Sequence, residues 1–294
     1  MREGYHVGAP TQSVTQVELW RPRPRPRVAP MSQVHPTAVI APGARIAPDV
    51  AVGPYAVIGP QVRLAAGNVV GPHVVIEGAT DIGPGNRFLQ FCAIGAGPQV
   101  DGWAGEAGAL AIGEANVFRE FVTVHAATGT EPTRIGSRNL IMTGAHVAHD
   151  CVLGDDIRLA NAATLGGHVR IADHAQVSGL VAIHQHTRIG AHAFVAGGSI
   201  VTQDAPPFCL VQGDRARLAG LNAVGLKRAG FSPAEIAELR RAYRNLFLGA
   251  GPMEDRLAAA RLGAGLHTLA LIDFLESSDR GCISTPRSRA KATA

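Results

Sequence analysis

A six-residue period runs through the chain from Val34 to Val201. Each step of six carries an aliphatic residue or Phe, the next position is often Gly or Ala, and the fourth position after it is mostly small or β-branched. These anchor residues are Val34, Ile40, Ile46, Val52, Ile58, Leu64, Val70, Ile76, Ile82, Phe88, Ile94, Ile112, Phe118, Val124, Ile135, Ile141, Val147, Leu153, Leu159, Leu165, Ile171, Val177, Ile183, Ile189, Val195 and Val201. A period of six is typical of a parallel β-helix, in which each hexad supplies one short strand to one side of a prism.

Three hexads complete one coil of such a prism, so residues 18 apart are predicted to stack about 4.8 Å apart. The composition agrees, because aromatic residues make up only 5% of the chain while glycines number 35. Such a composition suits a tightly stacked backbone better than a layered globular core. The sequence therefore predicts an all-β hexapeptide-repeat parallel β-helix over residues 31–205.

The period is interrupted twice, at residues 96–111 and 126–134. The wall of a solenoid cannot absorb segments of this length, so both are predicted to protrude as loops. Insertions of this kind often carry the binding function of repeat proteins.

Helical spacing replaces the six-residue period after about residue 205. The segment "FSPAE", which begins at Phe231, encodes a capping box with Pro at the first helical position. Further helical stretches are predicted at roughly 253–262 and 267–278. The predicted boundaries are 206–280 for a small α-helical region and 281–294 for a flexible tail.

The first thirty residues differ in composition from the rest. The stretch "RPRPRPR" predicts a stiff, disordered extension over residues 1–30. This segment holds five Arg and two Glu, so the formal net charge of +4 falls to +1 without it. The remaining charge does not indicate a nucleic-acid-binding surface. Met31 immediately precedes the first hexad, and we expect the natural chain to start there, which intact mass would test.

The localisation is predicted from the apolar segments and the cysteines of the sequence. No run approaches the roughly 18 apolar residues of a membrane span, and no signal-type segment follows the start. The four cysteines are scattered without a CxxC pair: Cys92, Cys151, Cys209 and Cys282. Scattered thiols are typical of a reduced, cytoplasmic protein, and that location is predicted.

Histidines are concentrated in one part of the repeat region. Seven of the 12 lie between residues 146 and 192, and none occupies an anchor or fourth position. Every imidazole of the repeat region is therefore predicted to lie outside the prism or at a corner. The spacing of 18 gives one column of His149, Gly167 and Gln185 and a neighbouring column of Asp150, His168 and His186. A prism wall is too flat to form a cleft alone, so the strip predicts an oligomer with sites between subunits.

His149 and Gly167 suggest a chemistry. An exposed imidazole near pH 7 is suited to act as a general base, and a glycine N–H is suited to donate to an oxyanion. The two residues are one coil apart, which meets both needs of acyl transfer. The sequence has no GxSxG segment, and Cys151 lies at an inward position. Direct attack by an acceptor hydroxyl on a thioester is therefore favoured over a covalent intermediate.

Longer segments carry a family resemblance from "VHPTAVI" to about residue 280. They are "QFCAIG" (90–95), "AHVAHDC" (145–151), "LANAATLGGH" (159–168), "AIHQ" (182–185), "IGAHAFVAGGS" (189–199), "DAPPFCLVQG" (204–213) and "GLKRAGFS" (225–232). The chain resembles the UDP-N-acetylglucosamine O-acyltransferases. The resemblance implies left-handed coils and a homotrimer with active sites between prisms. It also implies transfer of a 3-hydroxyacyl chain from acyl carrier protein to the 3-hydroxyl of UDP-N-acetylglucosamine, the first step of lipid A biosynthesis, without metal or other cofactor.

The resemblance also implies roles for matching positions. His149 would be the general base, Asp150 would orient it, and the Gly167 N–H would face the thioester oxygen. The implied substrate-binding residues are His168 and Gln185 for the sugar, His125, His146 and His184 along the same cleft, Asn222 and Arg228 for the nucleotide, and Gly197 for acyl length. A glycine at position 197 leaves room for a longer chain.

The sequence departs from the family in three places. Gly102 stands where the first loop usually carries a lysine, and "VHAAT" has alanines where the family typically has Arg and Gly after the histidine. Gly144 replaces an expected Asn. The loss of a loop Lys and Arg removes cationic partners for an anionic substrate. His149 and the residues around it are intact, so catalysis is expected to be retained, whereas the identity of the acceptor or the affinity for it stays open.

Two other functions remain open on the sequence alone. One is a hexapeptide acyltransferase with a different acceptor, such as an amino-sugar nucleotide. The other is a metal-dependent hydratase of the same fold, with zinc held by histidines of two subunits. A non-catalytic trimeric scaffold is the least favoured reading. Product mass and the metal content of the purified protein would discriminate among them.

Overall fold

The structure is a computed structural model that describes residues 34–284. These residues form a left-handed parallel β-helix followed by a helical region. The predicted extension at 1–30, the predicted start at Met31 and the part of the predicted tail beyond residue 284 lie outside the described residues. Among residues 34–284, no helix combines the length and the hydropathy needed to cross a bilayer.

The prism is built from short strands, most of them two residues long. In chain order they are β1 (Val39–Ile40), β2 (Arg45–Ile46), β3 (Ala51–Val52), β4 (Val57–Ile58), β5 (Arg63–Leu64), β6 (Val69–Val70), β7 (Val75–Ile76), β8 (Ala79–Ile82), β9 (Arg87–Phe88), β10 (Ala93–Ala96), β11 (Ala109–Ile112), β12 (Val117–Phe118), β13 (Thr123–His125), β14 (Thr133–Ile135), β15 (Leu140–Ile141), β16 (His146–Val147), β17 (Val152–Leu153), β18 (Arg158–Leu159), β19 (Thr164–Leu165), β20 (Arg170–Ile171), β21 (Gln176–Val177), β22 (Ala182–Ile183), β23 (Arg188–Ile189), β24 (Phe194–Val195), β25 (Ile200–Val201), β26 (Cys209–Gln212) and β27 (Arg217–Leu221). Every third strand joins the same sheet, so β1 pairs with β4, β2 with β5 and β3 with β6, and three parallel sheets form the sides.

The register confirms the predicted coil of 18 residues. His146 pairs with Thr164, and Val147 with Leu165. The offset grows only across an insertion: Ala93 pairs with Thr123 across the first, and Thr123 pairs with His146 across the second. The insertions therefore leave the prism without disturbing the stacking of its coils.

The predicted anchors fill the core. From Val52 to Val201 each anchor residue is at most 4% exposed, whereas Ile40 and Ile46 are half-buried at the open end of the prism. The fourth positions are also buried, as Val74 and Ala163 show. The prism interior thus holds two side chains per hexad, most of them small or aliphatic, while Asn68, Asn86, Asn116 and Asn139 are buried polar residues at fourth positions.

The corners of the prism require left-handed backbone. Asp150, His168 and His186 have φ values of 59°, 60° and 61° and form one column, which we call the histidine edge. Asp156, His174, His192 and Phe208 form a second column, the Phe208 edge, and Gly144, Ala162, Leu180 and Gly198 form the third, the glycine edge. Asp, Asn, His and Gly tolerate positive φ better than branched residues do. The corner geometry therefore explains why imidazoles stack outside the core.

The two insertions pack against each other. The Ala126 N–H donates to the Ala96 carbonyl at 2.8 Å, and the Gly108 N–H donates to the Ala127 carbonyl at 2.8 Å. Both insertions are shorter than predicted, because β11 begins at Ala109 and β14 begins at Thr133.

The chain after residue 205 does not turn helical at once. Strand β26 extends the third sheet, and β27 pairs with it antiparallel. Four helices and one π-helical turn then follow: α1 (Ala223–Arg228), α2 (Pro233–Tyr243), the turn Arg244–Leu248, α3 (Met253–Arg261) and α4 (Leu266–Glu276). The predicted capping box is present, since the Glu235 N–H donates to Ser232 Oγ at 3.2 Å and the Ser232 N–H to Glu235 Oε2 at 2.7 Å.

The helical region has its own core and is tied to the prism. Phe208, Leu226, Leu239, Leu246, Leu271 and Ile272 are at most 3% exposed and pack together. Residues 281–284, which the sequence assigned to the tail, lie against the prism instead. Ile283 is 2% exposed, and its N–H donates to the Asp204 carbonyl at 2.9 Å.

Candidate active site

A histidine–carboxylate pair stands at the histidine edge. His149 Nδ1 lies 2.7 Å from Asp150 Oδ2, and both side chains are 13% exposed. An ionised carboxylate only accepts hydrogen bonds, so the proton sits on Nδ1 and the Nε2 of His149 keeps its lone pair. The pair therefore presents a proton acceptor to the outside of the prism.

The Asp150 carboxylate is held from a second side. Thr128 donates to it twice, from its hydroxyl to Oδ2 at 2.7 Å and from its backbone N–H to Oδ1 at 3.1 Å. Burial acts to raise the Asp150 pKa, but the hydrogen bonds from His149 and Thr128 together outweigh it, so the pKa lies below its usual value. Asp150 is accordingly ionised at neutral pH.

Gly167 lies beneath the His149 ring. Gly167 is buried, and a Cβ at this position would overlap the imidazole, with His149 Nε2 only 2.6 Å away. The predicted column of residues 18 apart is therefore confirmed, and its central position tolerates no side chain while the His149 ring keeps its place.

His125 and His146 form a second imidazole pair. Their rings meet edge to face at 4.9 Å, and His146 Nδ1 lies 2.7 Å from Thr123 Oγ1. Burial lowers the pKa of His125, and the nearby His149 lowers it further. Burial, with His125 and His149, lowers the His146 pKa to about 4. Both rings are neutral at pH 7 and offer hydrogen bonds without charge.

His125 is buried, which the predicted position outside the prism or at a corner did not anticipate. This residue is 5% exposed, and its Nδ1 is buried without a hydrogen-bond partner among the described residues. His125 closes β13, where Ala96 pairs with it, and the loops that leave the prism at these two residues pack together. The six-residue pattern gives the side a residue faces but not what an insertion places over it.

His168 continues the histidine edge. Its ring meets His149 edge to face at 5.3 Å and stacks on His186 at 4.4 Å. His168 Nε2 lies 3.6 Å from Asp150 Oδ2, and burial lowers the His168 pKa. Ligand atoms of His149, Asp150 and His168 all lie within 4.8 Å of one another, so the three could hold a metal ion.

His184 and Gln185 lie one coil beyond His168 and are exposed. His184 Nδ1 lies 3.1 Å from the Gln185 carbonyl oxygen, which orients the ring. The structure thus brings eight of the predicted residues to one edge and the adjoining face: His125, His146, His149, Asp150, Gly167, His168 and, at the far end, His184 with Gln185 beside it.

The other three predicted residues lie elsewhere on the protomer. Gly197 is exposed beside the glycine edge, where its nearest neighbour is Gly179 one coil below. Asn222 lies at the Phe208 edge, where its amide donates to the His192 carbonyl at 2.9 Å and its Oδ1 accepts from the Gly225 N–H at 3.1 Å. The Asn222 side chain caps α1, a structural role that the sequence did not indicate. Arg228 is exposed at the end of α1.

Two of the family departures have a local explanation. Gly144 has φ of 69° at the glycine edge, a conformation that Gly and Asn both accept, so replacing Asn with Gly keeps the corner intact. Ala126 and Ala127 are fully buried between the two insertions. Gly102 lies in the first insertion and is exposed.

Cys151 is not a nucleophile. Its side chain is fully buried at an inward position, as predicted, and burial raises the pKa of its thiol to about 12. Sequence reasoning missed Thr123 and Thr128, which orient His146 and Asp150. Thr123 pairs in register with His146, but the second insertion makes their offset 23 residues instead of 18. Thr128 lies within that insertion, so the spacing of 18 gave no signal for either threonine.

Comparison with known proteins gives a consistent result. A family model described as "Udp N-acetylglucosamine O-acyltransferase; Domain 2" matches residues 204–283. An acyl-[acyl-carrier-protein]–UDP-N-acetylglucosamine O-acyltransferase of Myxococcus xanthus is 49% identical over 85% of this chain and 99% of its own length. One of the same name from Halorhodospira halophila is 45% identical over 86% of this chain and 100% of its own length.

Solved structures agree with the relatives. The UDP-N-acetylglucosamine acyltransferase of Campylobacter jejuni has a TM-score of 0.81 at 35% identity, over 86% of this chain and 99% of that one. The Francisella novicida enzyme has a TM-score of 0.82 at 33% identity, over 86% and 94%. The β-helix and the helical C-terminal region, matched to these acyltransferases over most of the chain, place the protein in the hexapeptide-repeat acyltransferase class. Within that class, the chain belongs to the UDP-N-acetylglucosamine O-acyltransferase family.

Proposed function

We propose that this chain transfers a 3-hydroxyacyl chain from acyl carrier protein to the 3-hydroxyl of UDP-N-acetylglucosamine, the first step of lipid A biosynthesis, with His149 as the general base. The names of the relatives support the acyl donor and the acceptor. The observation that carries the role of His149 is its 2.7 Å hydrogen bond to Asp150, which leaves Nε2 free beside Gly167.

The proposed step follows from this geometry. His149 Nε2 takes the proton of the sugar hydroxyl while the hydroxyl oxygen attacks the thioester carbonyl carbon. The Gly167 N–H stabilises the oxyanion that forms. The carbonyl then re-forms, the C–S bond breaks, and the imidazolium returns the proton to the departing thiolate. Asp150 stays ionised throughout and stabilises the imidazolium.

The acceptor would bind along the imidazole-rich face. His168 and Gln185 would contact the sugar, and the neutral pair of His125 and His146 would line the cleft with His184. Neutral imidazoles suit an uncharged sugar, because they donate and accept hydrogen bonds without attracting the diphosphate away from its own site. Gly197 would leave room for the end of the acyl chain.

A homotrimer would complete the site. His149 lies at the histidine edge, whereas Asn222 and Arg228 belong to the Phe208 edge and α1 of the same protomer. These groups would act on one substrate if a neighbouring copy placed its helical region beside the histidine edge. Sedimentation would report the assembly. Mixing inactive His149→Ala and Arg228→Ala protomers should restore part of the activity, since some sites would then take both intact residues.

The test of the reaction is a product analysis. The protein is incubated with 3-hydroxyacyl carrier proteins of several chain lengths and UDP-N-acetylglucosamine, and the product is identified by mass. The same assay with an amino-sugar nucleotide tests the other acceptor, whose amide product resists mild alkali whereas the ester does not. His149→Ala should lower turnover by about 10²–10⁴ with the assembly intact. His35→Ala, on the first coil, is the matched control.

The cluster of His149, Asp150 and His168 keeps the metal-dependent hydratase as a second candidate. Two imidazoles and a carboxylate form an ordinary zinc ligand set. In the structure, however, Asp150 Oδ2 already accepts hydrogen bonds from His149 Nδ1 and the Thr128 hydroxyl, which a metal would have to replace. Stoichiometric zinc in the purified protein, with activity lost on chelation, would favour the hydratase over the transferase.

A further inference from the structure

We propose that Thr128 is a positioning residue, which holds the Asp150 carboxylate in the orientation that fixes the His149 imidazole. The inference rests on the proposed function, in which His149 is the base. Thr128 would not touch either substrate and would act only through Asp150.

The Asp150 carboxylate accepts hydrogen bonds from two residues, His149 and Thr128. Oδ2 receives His149 Nδ1 and the Thr128 hydroxyl, each at 2.7 Å, and Oδ1 receives the Thr128 N–H at 3.1 Å. Thr128 therefore engages both oxygens and fixes the plane of the carboxylate. Hydrogen bonds to a charged acceptor are the stronger kind, and the site is largely shielded from water, with 13% of the Asp150 side chain exposed.

The backbone of Asp150 is fixed by a second threonine. The Asp150 N–H donates to Thr133 Oγ1 at 2.8 Å, and Thr133 is fully buried. Asp150 also adopts the left-handed conformation, with φ of 59°. Two threonines at or near the second insertion thus hold Asp150: Thr128 binds its side chain, and Thr133 binds its backbone.

A competing partner shows what Thr128 prevents. His168 Nε2 lies 3.6 Å from Asp150 Oδ2, just beyond hydrogen-bond distance. Without the two donors of Thr128, a small rotation of the Asp150 carboxylate would let it accept hydrogen bonds from both His149 and His168. The Nδ1 proton of His149 would then be less firmly held, and the lone pair on Nε2 would be less firmly aimed over Gly167.

The first insertion supports Thr128 in turn. Thr128 directly follows Ala126 and Ala127, which are fully buried and hydrogen-bonded to Ala96 and Gly108 of the first insertion. The backbone N–H of Thr128 is thereby held in place as well as its hydroxyl. The two insertions together therefore help to hold His149, the proposed base, in place.

The experiment compares Thr128→Val with Thr128→Ser in the product assay. The valine variant should lose about 10- to 100-fold in kcat, the scale of one hydrogen bond to a charged group, with little change in KM. Serine keeps the hydroxyl and should restore most of the rate. Thr268→Val is the matched control, because Thr268 donates in the same way to Glu238 in the helical region, at 2.7 Å. Its kcat should stay at the wild-type value.

Two readouts separate positioning from a general structural effect. In an Asp150→Asn background the Thr128→Val change should cost almost nothing, since both act through one carboxylate. The second readout is the tautomer of the His149 ring, which should stay Nδ1–H in wild type and become mixed in Thr128→Val.

The inference can fail independently of the proposed function. If the wild-type protein forms no acyl-sugar product, the function fails, and the ¹⁵N chemical shifts of the His149 ring still test Thr128. A mixed or altered tautomer in Thr128→Val, and a single Nδ1–H tautomer in wild type and Thr128→Ser, would support it. Unchanged His149 shifts, or an equal fall in kcat with and without Asp150, would overturn it.

Discussion

The His149 imidazole lies directly over Gly167, and its Nε2 is 2.6 Å from the position that a Cβ at residue 167 would occupy. Real side chains do not approach so closely, so any substituent at position 167 must displace the ring. The residue that would donate to the oxyanion and the residue that would take the proton thus constrain each other through one contact between neighbouring coils.

Gly167→Ala is therefore expected to lower kcat by about 10²-fold or more while the prism stays folded. The added methyl group would push the His149 ring away from its position beside Asp150, which is the loss of a placed base. Steady-state kinetics with far-UV circular dichroism measures both effects. Gly97→Ala is the control, because no atom lies within 4 Å of a Cβ at that position. A Gly167→Ala enzyme with wild-type kcat would show that the ring need not lie there.

The repeat made most of this site predictable. Because one coil spans 18 residues, the column of His149 and Gly167 and the column of Asp150 and His168 follow from counting alone. The anchors fix which side of each strand faces inward, so Cys151 could be excluded as a nucleophile from its position.

Contacts that cross between an insertion and the prism could not be predicted in this way. The grip of Thr128 on Asp150 depends on where a loop returns, and no period describes that. The burial of His125 has the same origin. The family resemblance implies that Asn222 binds the nucleotide. The hydrogen bonds that its side-chain amide makes within the protomer become visible only when α1 is placed against His192.

A buried ladder of asparagines should be essential for stability. Asn116 Oδ1 accepts from the Asn139 N–H at 2.8 Å, and its Nδ2 donates to Asn86 Oδ1 and to the Gly136 carbonyl at 2.9 and 2.8 Å. The ladder joins coils across both insertions, where the simple offset of 18 residues is lost. Each member is at most 1% exposed.

Asn116→Ala is expected to lower the free energy of unfolding by about 2–4 kcal/mol, because it leaves several buried polar groups without partners. Urea denaturation followed by circular dichroism would measure the change. Asn161→Ala, at an exposed corner, should change the stability little. A shift in Asn116→Ala no larger than the one in Asn161→Ala would contradict the role of the ladder.

Arg188 fastens the helical region to the prism. Its Nε donates to Asp204 Oδ2 at 2.8 Å, its Nη2 donates to the Phe274 carbonyl at 3.0 Å, and the guanidinium lies 4.4 Å from the centre of the Phe274 ring. The Asp204 side chain is only 2% exposed. Arg188→Ala would leave this carboxylate buried without its cation.

We therefore expect Arg188→Ala to cost about 3–5 kcal/mol of unfolding free energy. Arg188→Lys should recover only part of the loss, since an ammonium group cannot bridge Asp204 and Phe274 as a guanidinium fork does. Thermal and urea unfolding of both variants would test this, with the exposed Arg170→Ala of the same sheet as control. Equal stability of Arg188→Ala and Arg170→Ala would argue against the fastening role.

The stability of the fold should fall as the pH falls below about 6.5. Burial, with His125 and His149, lowers the His146 pKa to about 4, and burial, with His174 and His267, lowers the His192 pKa to about 4. Between these values and 6.5 the unfolded chain binds protons that the folded chain does not, so acid favours unfolding. The stabilisation is fully present above the unfolded pKa and is lost as the pH approaches the folded one.

Urea midpoints at about pH 7 and about pH 5 should therefore differ in wild type, and His146→Gln should reduce that difference without abolishing it, because His192 still contributes. A midpoint that is the same at both pH values would mean that these imidazoles are protonated in the folded chain as readily as in the unfolded one.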